Sequence, residues 1–362
     1  MKRAAVGLAV LLLSLSVNSQ DKQLVLLAAH RLGRVEVLDP TRLAPIGSLT
    51  VLPQANGIST SPDGNILYLP EGLAPDFKRC CALYALNLET RRMTRLVAPS
   101  SAATVSPDGS HVLTQRGNVG IEVYDGRTFD REPSIPHTVA PGVYRLSFSP
   151  DGLLLFGTTN GPQASLDIFD FASQHLVRRY SIAGNVAVLG TWLRGDFYLY
   201  AYDDAQGQLW KVNPLDRTLG EPLKTRLPNP APECAIYDEE MVGAGNRILL
   251  YEGFGGKLDR RPNCRRSVPG GVFPVDPETG NIGRRLAGGL HFASLVPSPD
   301  GKELFGIDLR HSNWDTVRLV RIDVETGSVL VKKELMPDVW FIDLAQISRR
   351  LVPHGQLETV HE

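Results

Sequence analysis

The tetrapeptide Ser-Pro-Asp-Gly occurs four times, at Ser61–Gly64, Ser106–Gly109, Ser149–Gly152 and Ser298–Gly301. Its residues suit a tight turn. Pro presets φ for the first central position of a type I turn, Asp tolerates the second, and Gly takes the left-handed conformation that closes a hairpin through a bulge. Short apolar stretches flank the copies, such as "YRLSF" from Tyr144 before one and "LLLFG" from Leu153 after it. Each copy therefore joins two antiparallel strands. A Ser-Asp pair can suggest hydrolase chemistry, but four copies on tight turns argue for structure.

The turn recurs at a regular interval. Gly64, Gly109 and Gly152 are followed by weaker copies at Gly195 ("LRGDFYLY") and Gly245 ("GAGNRILLY"), and Gly301 completes the set, with spacings of 45, 43, 43, 50 and 56. Such a period belongs to propeller blades and is read before any other fold signal. A second marker, an apolar strand ending in Asp or Asn before a polar turn, recurs at Asp39, Asn87, Asp125, Asp170, Asn213, Asp276 and Asp323. Seven markers against six hairpin glycines imply one split repeat. With strands A to D counted outward from the axis, the glycine joins A to B and the marker ends C. The first repeat then has B, C and D but no A, and "VWFIDLAQIS" near the C-terminus is left over. The expectation is an all-β, seven-bladed β-propeller with four-stranded antiparallel blades, closed by the C-terminal strand joining the N-terminal blade. Such closure hides sheet edges. The 34 Gly and 26 Pro residues suit many short strands and turns.

Residues 1–19 read as a signal peptide: Lys2 and Arg3, an apolar run from Ala4 to Val17, then small residues before a cut near Ser19. The run is shorter than the ~20 residues a spanning helix needs. Residues 20–362 are then one propeller domain, periplasmic or secreted, with no membrane span after cleavage, and monomeric. Net charge is −1 overall, which gives no basic face for nucleic acid.

The repeated "SPDG" hairpin, the strand end of the type "VDPETG" and the leader resemble the YVTN-type seven-bladed propellers, in the superfamily that holds the quinohaemoprotein amine dehydrogenase β chain. The "YVTN" tetrapeptide itself is absent. The resemblance implies the fold and is nearly silent on activity, because fold does not choose function.

In a propeller the D-to-A and B-to-C connections share one face, here called upper, and the A-to-B hairpins lie on the other. The residues opening the A strands should ring the channel mouth: Gln54, Asn56, Tyr144, Asn185, Glu233, His291 and Trp340. Glu233 and His291 belong to adjacent blades, and a carboxylate near an imidazole can do acid–base work. The longest irregular stretch, "EGFGGKLDRRPNCRRSVPGG" in blade 6, brings Arg260, Arg261, Arg265 and Arg266, whose planar donors suit a carboxylate or phosphate. A solvated basic loop is the plainer reading. Two ligands do not make a metal site, and Cys-x-x-Cys-His is absent, so neither metal nor cofactor is assigned.

In an exported chain the four cysteines suggest disulfides. Cys234–Cys264 would pin the blade 6 loop. Adjacent Cys80 and Cys81 would then form a vicinal bond or stay as two thiols. The functional expectation is an exported propeller that binds a protein partner or small ligand at the upper face. Two alternatives stand beside it: a lactonase- or quinoprotein-like enzyme acting on a small anionic substrate, and an accessory subunit of a periplasmic redox complex.

Overall fold

The computed structural model describes residues 22–30, 33–51, 57–71, 82–96, 103–116, 120–140, 142–159, 163–182, 187–203, 206–225, 239–252, 270–309, 317–335, 339–352 and 355–359. Seven sheets follow one another along the chain, and in blade after blade sequence order is spatial order. Blade 4 shows the plan: A Val143–Phe148, B Leu154–Thr159, C Ser165–Asp170 and D His175–Ser181, each antiparallel to the next.

Blade 1 is the exception that closes the ring. Its B, C and D strands are Lys22–His30, Arg34–Leu38 and Pro45–Thr50, and its A strand is Val339–Ser348. Pairing runs from Lys22 opposite Ser348 to His30 opposite Val339. The left-over strand is thus the missing A strand. The chain then passes through a single 3-10 turn, Arg349–Leu351, and Gly355–Thr359 returns to pair in parallel with Pro45–Thr50. Blade 1 therefore has a fifth strand on its outer edge, which the repeat count did not foresee.

The four Ser-Pro-Asp-Gly turns are near copies at atomic level. Each serine Oγ accepts the backbone N–H five residues on, at 2.9 Å in every case (Ile66, His111, Leu154, Glu303). Each also donates to the aspartate two residues on. The aspartate in turn accepts a backbone N–H from the residue two further along. Glycine closes the turn at φ between 67° and 76°. These bonds hold the Asp108 carboxyl down at about 2, the Ser106 hydroxyl being the main cause. In blades 5 and 6 the chain turns differently: Leu193 pairs directly with Asp196 and Ala244 with Arg247, leaving two-residue turns. Arg194 and Gly195 both have positive φ (54° and 86°), as the tightest hairpins require. The motif was replaced there by another turn type, rather than simply decaying.

The Asp/Asn markers also have a single physical role. The side-chain oxygen of each accepts backbone N–H groups two or three residues on, as Asp39 does from Thr41 and Arg42 and Asp125 from Arg127 and Thr128. The same bond is made by Asn87, Asp170, Asn213, Asp276 and Asp323. Four residues after every marker the backbone is left-handed, at Leu43, Arg91, Phe129, Gln174, Arg217, Gly280 and Gly327. A non-glycine residue there stores roughly 1–2 kcal/mol, which the side-chain cap and the flanking ladders offset.

Packing explains the strand patterns. Successive residues of a strand point to opposite faces, and in a blade both faces meet a neighbour. In the blade 1 B strand, Val25 and Leu27 pack toward blade 2 while Leu26 and Ala28 pack toward blade 7. Both sets are fully buried, so the strand is an unbroken apolar run. Burying each such Leu or Val contributes about 1.5–3 kcal/mol. The described core divides into seven clusters, one for each junction between neighbouring blades. Outer strands face neighbours less completely; Val329–Leu335 alternates half-buried and exposed residues.

Blade 6 departs from the plan in its outer strand. Its A, B and C strands are Glu239–Ala244, Arg247–Glu252 and Val272–Val275. The D position is held by single bridges, Val272 with Leu286 and Val275 with Ile282. Residues 1–21 and all four cysteines lie outside the described residues. No helix among the described residues is long and apolar enough to cross a membrane.

Candidate functional site at the channel mouth

The A strands line the axis and begin at the upper face. Three of them carry a β-bulge at the same level. Register shifts fall between Val143 and Arg145 in blade 4, between Phe292 and Ser294 in blade 7, and opposite Ala29 and His30 in blade 1. The extra residues are Tyr144, Ala293 and Trp340. Bulges concentrate at rims and beside functional sites because they re-aim one residue without breaking the sheet. Two of the expected mouth residues, Tyr144 and Trp340, thus occupy these bulges. Gln54, Asn56, Asn185, Glu233, Arg260, Arg261, Arg265 and Arg266 lie outside the described residues.

His291 immediately precedes the blade 7 A strand, Phe292–Pro297, at the upper rim. Its backbone N–H donates to Asp308 Oδ1 at 3.0 Å, and Asp308 Oδ2 accepts from Arg318 Nη2. Asp308 is 1% exposed, so the Arg318 guanidinium supplies its counter-charge at a position almost closed to water. The other side of His291 meets blade 6. A Cβ on Gly270 would lie 2.6 Å from His291 Cε1 and 2.8 Å from Nε2. Only glycine lets the chain pass so close. Gly270 lies two residues before the blade 6 C strand, so the chain enters that strand against the His291 ring.

Below the rim, a pair that sequence reasoning missed joins two A strands at the channel wall. Arg145, third in the blade 4 A strand, meets Glu240, second in the blade 6 A strand. Arg145 Nη1 donates to Glu240 Oε2 at 2.5 Å, and its Nη2 donates to Oε1. Blade 5 stands between the two strands, so the paired side chains reach across its inner edge as a crossbar. Two parallel charge-assisted bonds fix both position and orientation. The pair is about one-third exposed (36% and 27%).

Deeper still, hydroxyls tie neighbouring A strands together. Ser59 Oγ donates to Ala103 O, and Thr104 Oγ1 donates to Leu146 O. Trp192 Nε1 donates to Ser147 Oγ, and Gly243 N donates to Thr191 Oγ1. At the junction of blades 1 and 2 the same level holds a carboxylate: Asp343 Oδ2 accepts from Thr60 Oγ1 at 2.8 Å, and Oδ1 from Leu344 N at 2.9 Å. Burial pushes Asp343 up to about 6, although the Thr60 hydroxyl pulls the other way. The folded state thus favours the protonated acid. Its stabilising effect is complete below the ordinary value of 3.8 and is lost as pH rises through about 6. Asp343→Asn is therefore expected to raise stability at pH 7.5 by roughly 2 kcal/mol and to change little at pH 4. Melting temperatures of both proteins across that window test this; equal shifts at the two pH values would contradict it.

No family model matches this sequence, and no curated protein matches it. Solved structures do. A dihydro-haem d1 dehydrogenase, NirN in complex with DHE, superposes with a TM-score of 0.57 at 15% identity, over 90% of this chain and 76% of that one. The chain is a seven-bladed β-propeller. Hydrazine synthase of Kuenenia stuttgartiensis gives a TM-score of 0.55 at 17% identity, over 84% of this chain and 90% of that one. A 6-phosphogluconolactonase candidate of Bacteroides fragilis gives 0.59 at 13%, over 91% and 99%. At these identities the similarity concerns the fold. It is the fold that the resemblance to YVTN-type and quinohaemoprotein propellers implied.

Proposed function

We propose that this protein is an exported propeller that binds a small anionic ligand in the upper mouth of its channel. One observation carries the reading: the Arg145–Glu240 pair joins the blade 4 and blade 6 A strands across the inner edge of blade 5, close to the upper ends of those strands, so the channel wall there carries a partly exposed charged pair. A bidentate guanidinium that can exchange its carboxylate for a ligand's is suited to carboxylates and phosphates. The blade 6 loop, with Arg260, Arg261, Arg265 and Arg266, would supply further donors from beside His291, and a Cys234–Cys264 bond would hold it.

The test is a crystal structure of protein purified from an exported fraction without chelator, with thermal shifts against a panel of small carboxylates and phosphates. Density over the crossbar is expected, together with a stabilising shift that Arg145→Gln and His291→Ala diminish. A water-filled mouth with no shift from any member of the panel would overturn the reading. Turnover of a lactone that His291→Ala abolishes would instead establish an enzyme. Intact mass of the exported protein should show residues 1–19 removed; a retained leader would refute export by cleavage.

A further inference from the structure

The lower face has a hollow of its own. Where Ser-Pro-Asp-Gly turns are present, the proline of one blade covers the glycine of the next. Pro62 Cδ lies 3.3 Å from where a Cβ on Gly109 would stand, and Pro107 Cδ lies 3.6 Å from the same point on Gly152. Blades 5 and 6 lack these loops and turn in two residues. A cavity of about 570 Å³ opens beside these turns, lined by Arg194, Asn246 and Arg247 and by the outer part of blade 6.

Three arginines line this cavity, and each comes from a feature in which blades 5 and 6 depart from the repeat. Arg194 is in the blade 5 two-residue turn, Arg247 follows the blade 6 turn, and Arg284 is in the irregular segment that stands in for the blade 6 D strand. Arg247 Nη1 donates to Val324 O at 3.3 Å, which leaves its other donors uncommitted. Among the described residues no ion pair joins Arg194 or Arg284 to an acid. Three acids also line the hollow. Asp276 is committed to its own turn, accepting from Glu278 N at 2.8 Å and Thr279 N at 3.2 Å, while Glu278 and Glu325 are exposed, as the three arginines are. Pro274 and Leu286 add an apolar surface.

The geometry points to a second binding site, on the face opposite the channel mouth, for a small molecule bearing two or more carboxylate or phosphate groups. Planar guanidiniums from three segments match such groups two bonds at a time. The volume is within the ordinary range for a small-molecule pocket. Glu278 and Glu325 line the same hollow and would oppose a polyanion, so the arginines must outweigh them.

Isothermal titration of the full protein with pyrophosphate and, separately, with citrate tests the assignment. Saturable binding of at least one probe is expected, and the tighter of the two identifies phosphate or carboxylate as the preferred group. The double variant Arg194→Gln/Arg284→Gln should weaken it by about tenfold or more. Glu278→Gln/Glu325→Gln should tighten it, a readout that survives if the arginine variant is poorly behaved. Absence of saturable binding with both probes overturns the site. So does an affinity that the arginine variant leaves intact, or one that the glutamate variant weakens. Binding lost only in His291→Ala would place the probe at the channel mouth and equally overturn it.

Discussion

Deletion of residues 338–362 is expected to abolish soluble, monomeric expression. The Val339–Ser348 strand supplies the inner edge of blade 1 along a continuous ladder with Lys22–His30. It also serves two junctions at once: Ala345 and Ile347 pack toward blade 2, and Val339 and Ile342 toward blade 7. Losing it removes members from two of the seven cores, the Asp343–Thr60 bond, and the cover over a strand edge. An uncovered apolar edge is a template for pairing with another chain. Size-exclusion chromatography with circular dichroism decides the matter. A truncated protein that elutes as a monomer and melts cooperatively would sink the closure scheme.

The second large effect is expected at Arg318. Removing this side chain leaves Asp308 with the His291 N–H but without its counter-ion, in a position almost closed to water. Breaking a buried pair in this way costs about 3–5 kcal/mol, so Arg318→Ala should lower the denaturation midpoint strongly. Replacing both partners, as Asp308→Asn with Arg318→Met, should recover most of the loss because no charge is then stranded. Chemical denaturation of the single and double variants gives the comparison. If the double variant is as unstable as the single, the cost arises from packing rather than from charge.

Much of the fold was legible because propeller turns are local. A serine that caps the N–H five residues on, or an aspartate that caps its own turn, acts within one short segment, so its signature stays contiguous. The split repeat was legible as a mismatch between two such signatures. Blade 6's outer strand was not, because two single bridges leave no alternating pattern to read. The site was less legible for a different reason. Arg145 pairs with a residue 95 positions away, and Thr60 with one 283 away. No local rule joins them. A signal did exist: Arg145, Glu240 and Asp343 are charges inside strands that border the axis. Attention to the residues opening those strands found His291 and the bulge positions Tyr144 and Trp340, and passed over the charged residues beyond them.

The division of the core into seven junction clusters has a consequence for how the molecule can vary. A cavity or overpacked side chain in one cluster is walled off from the others by whole sheets, so its strain is absorbed by the two blades that share it. Distant substitutions should then combine nearly independently. The ring behaves as a vessel with bulkheads: one compartment can be refitted while the rest stay watertight. Blades 5 and 6, with their replaced turns and irregular outer strand, are the refitted sector, and four near-identical turns elsewhere keep the original pattern.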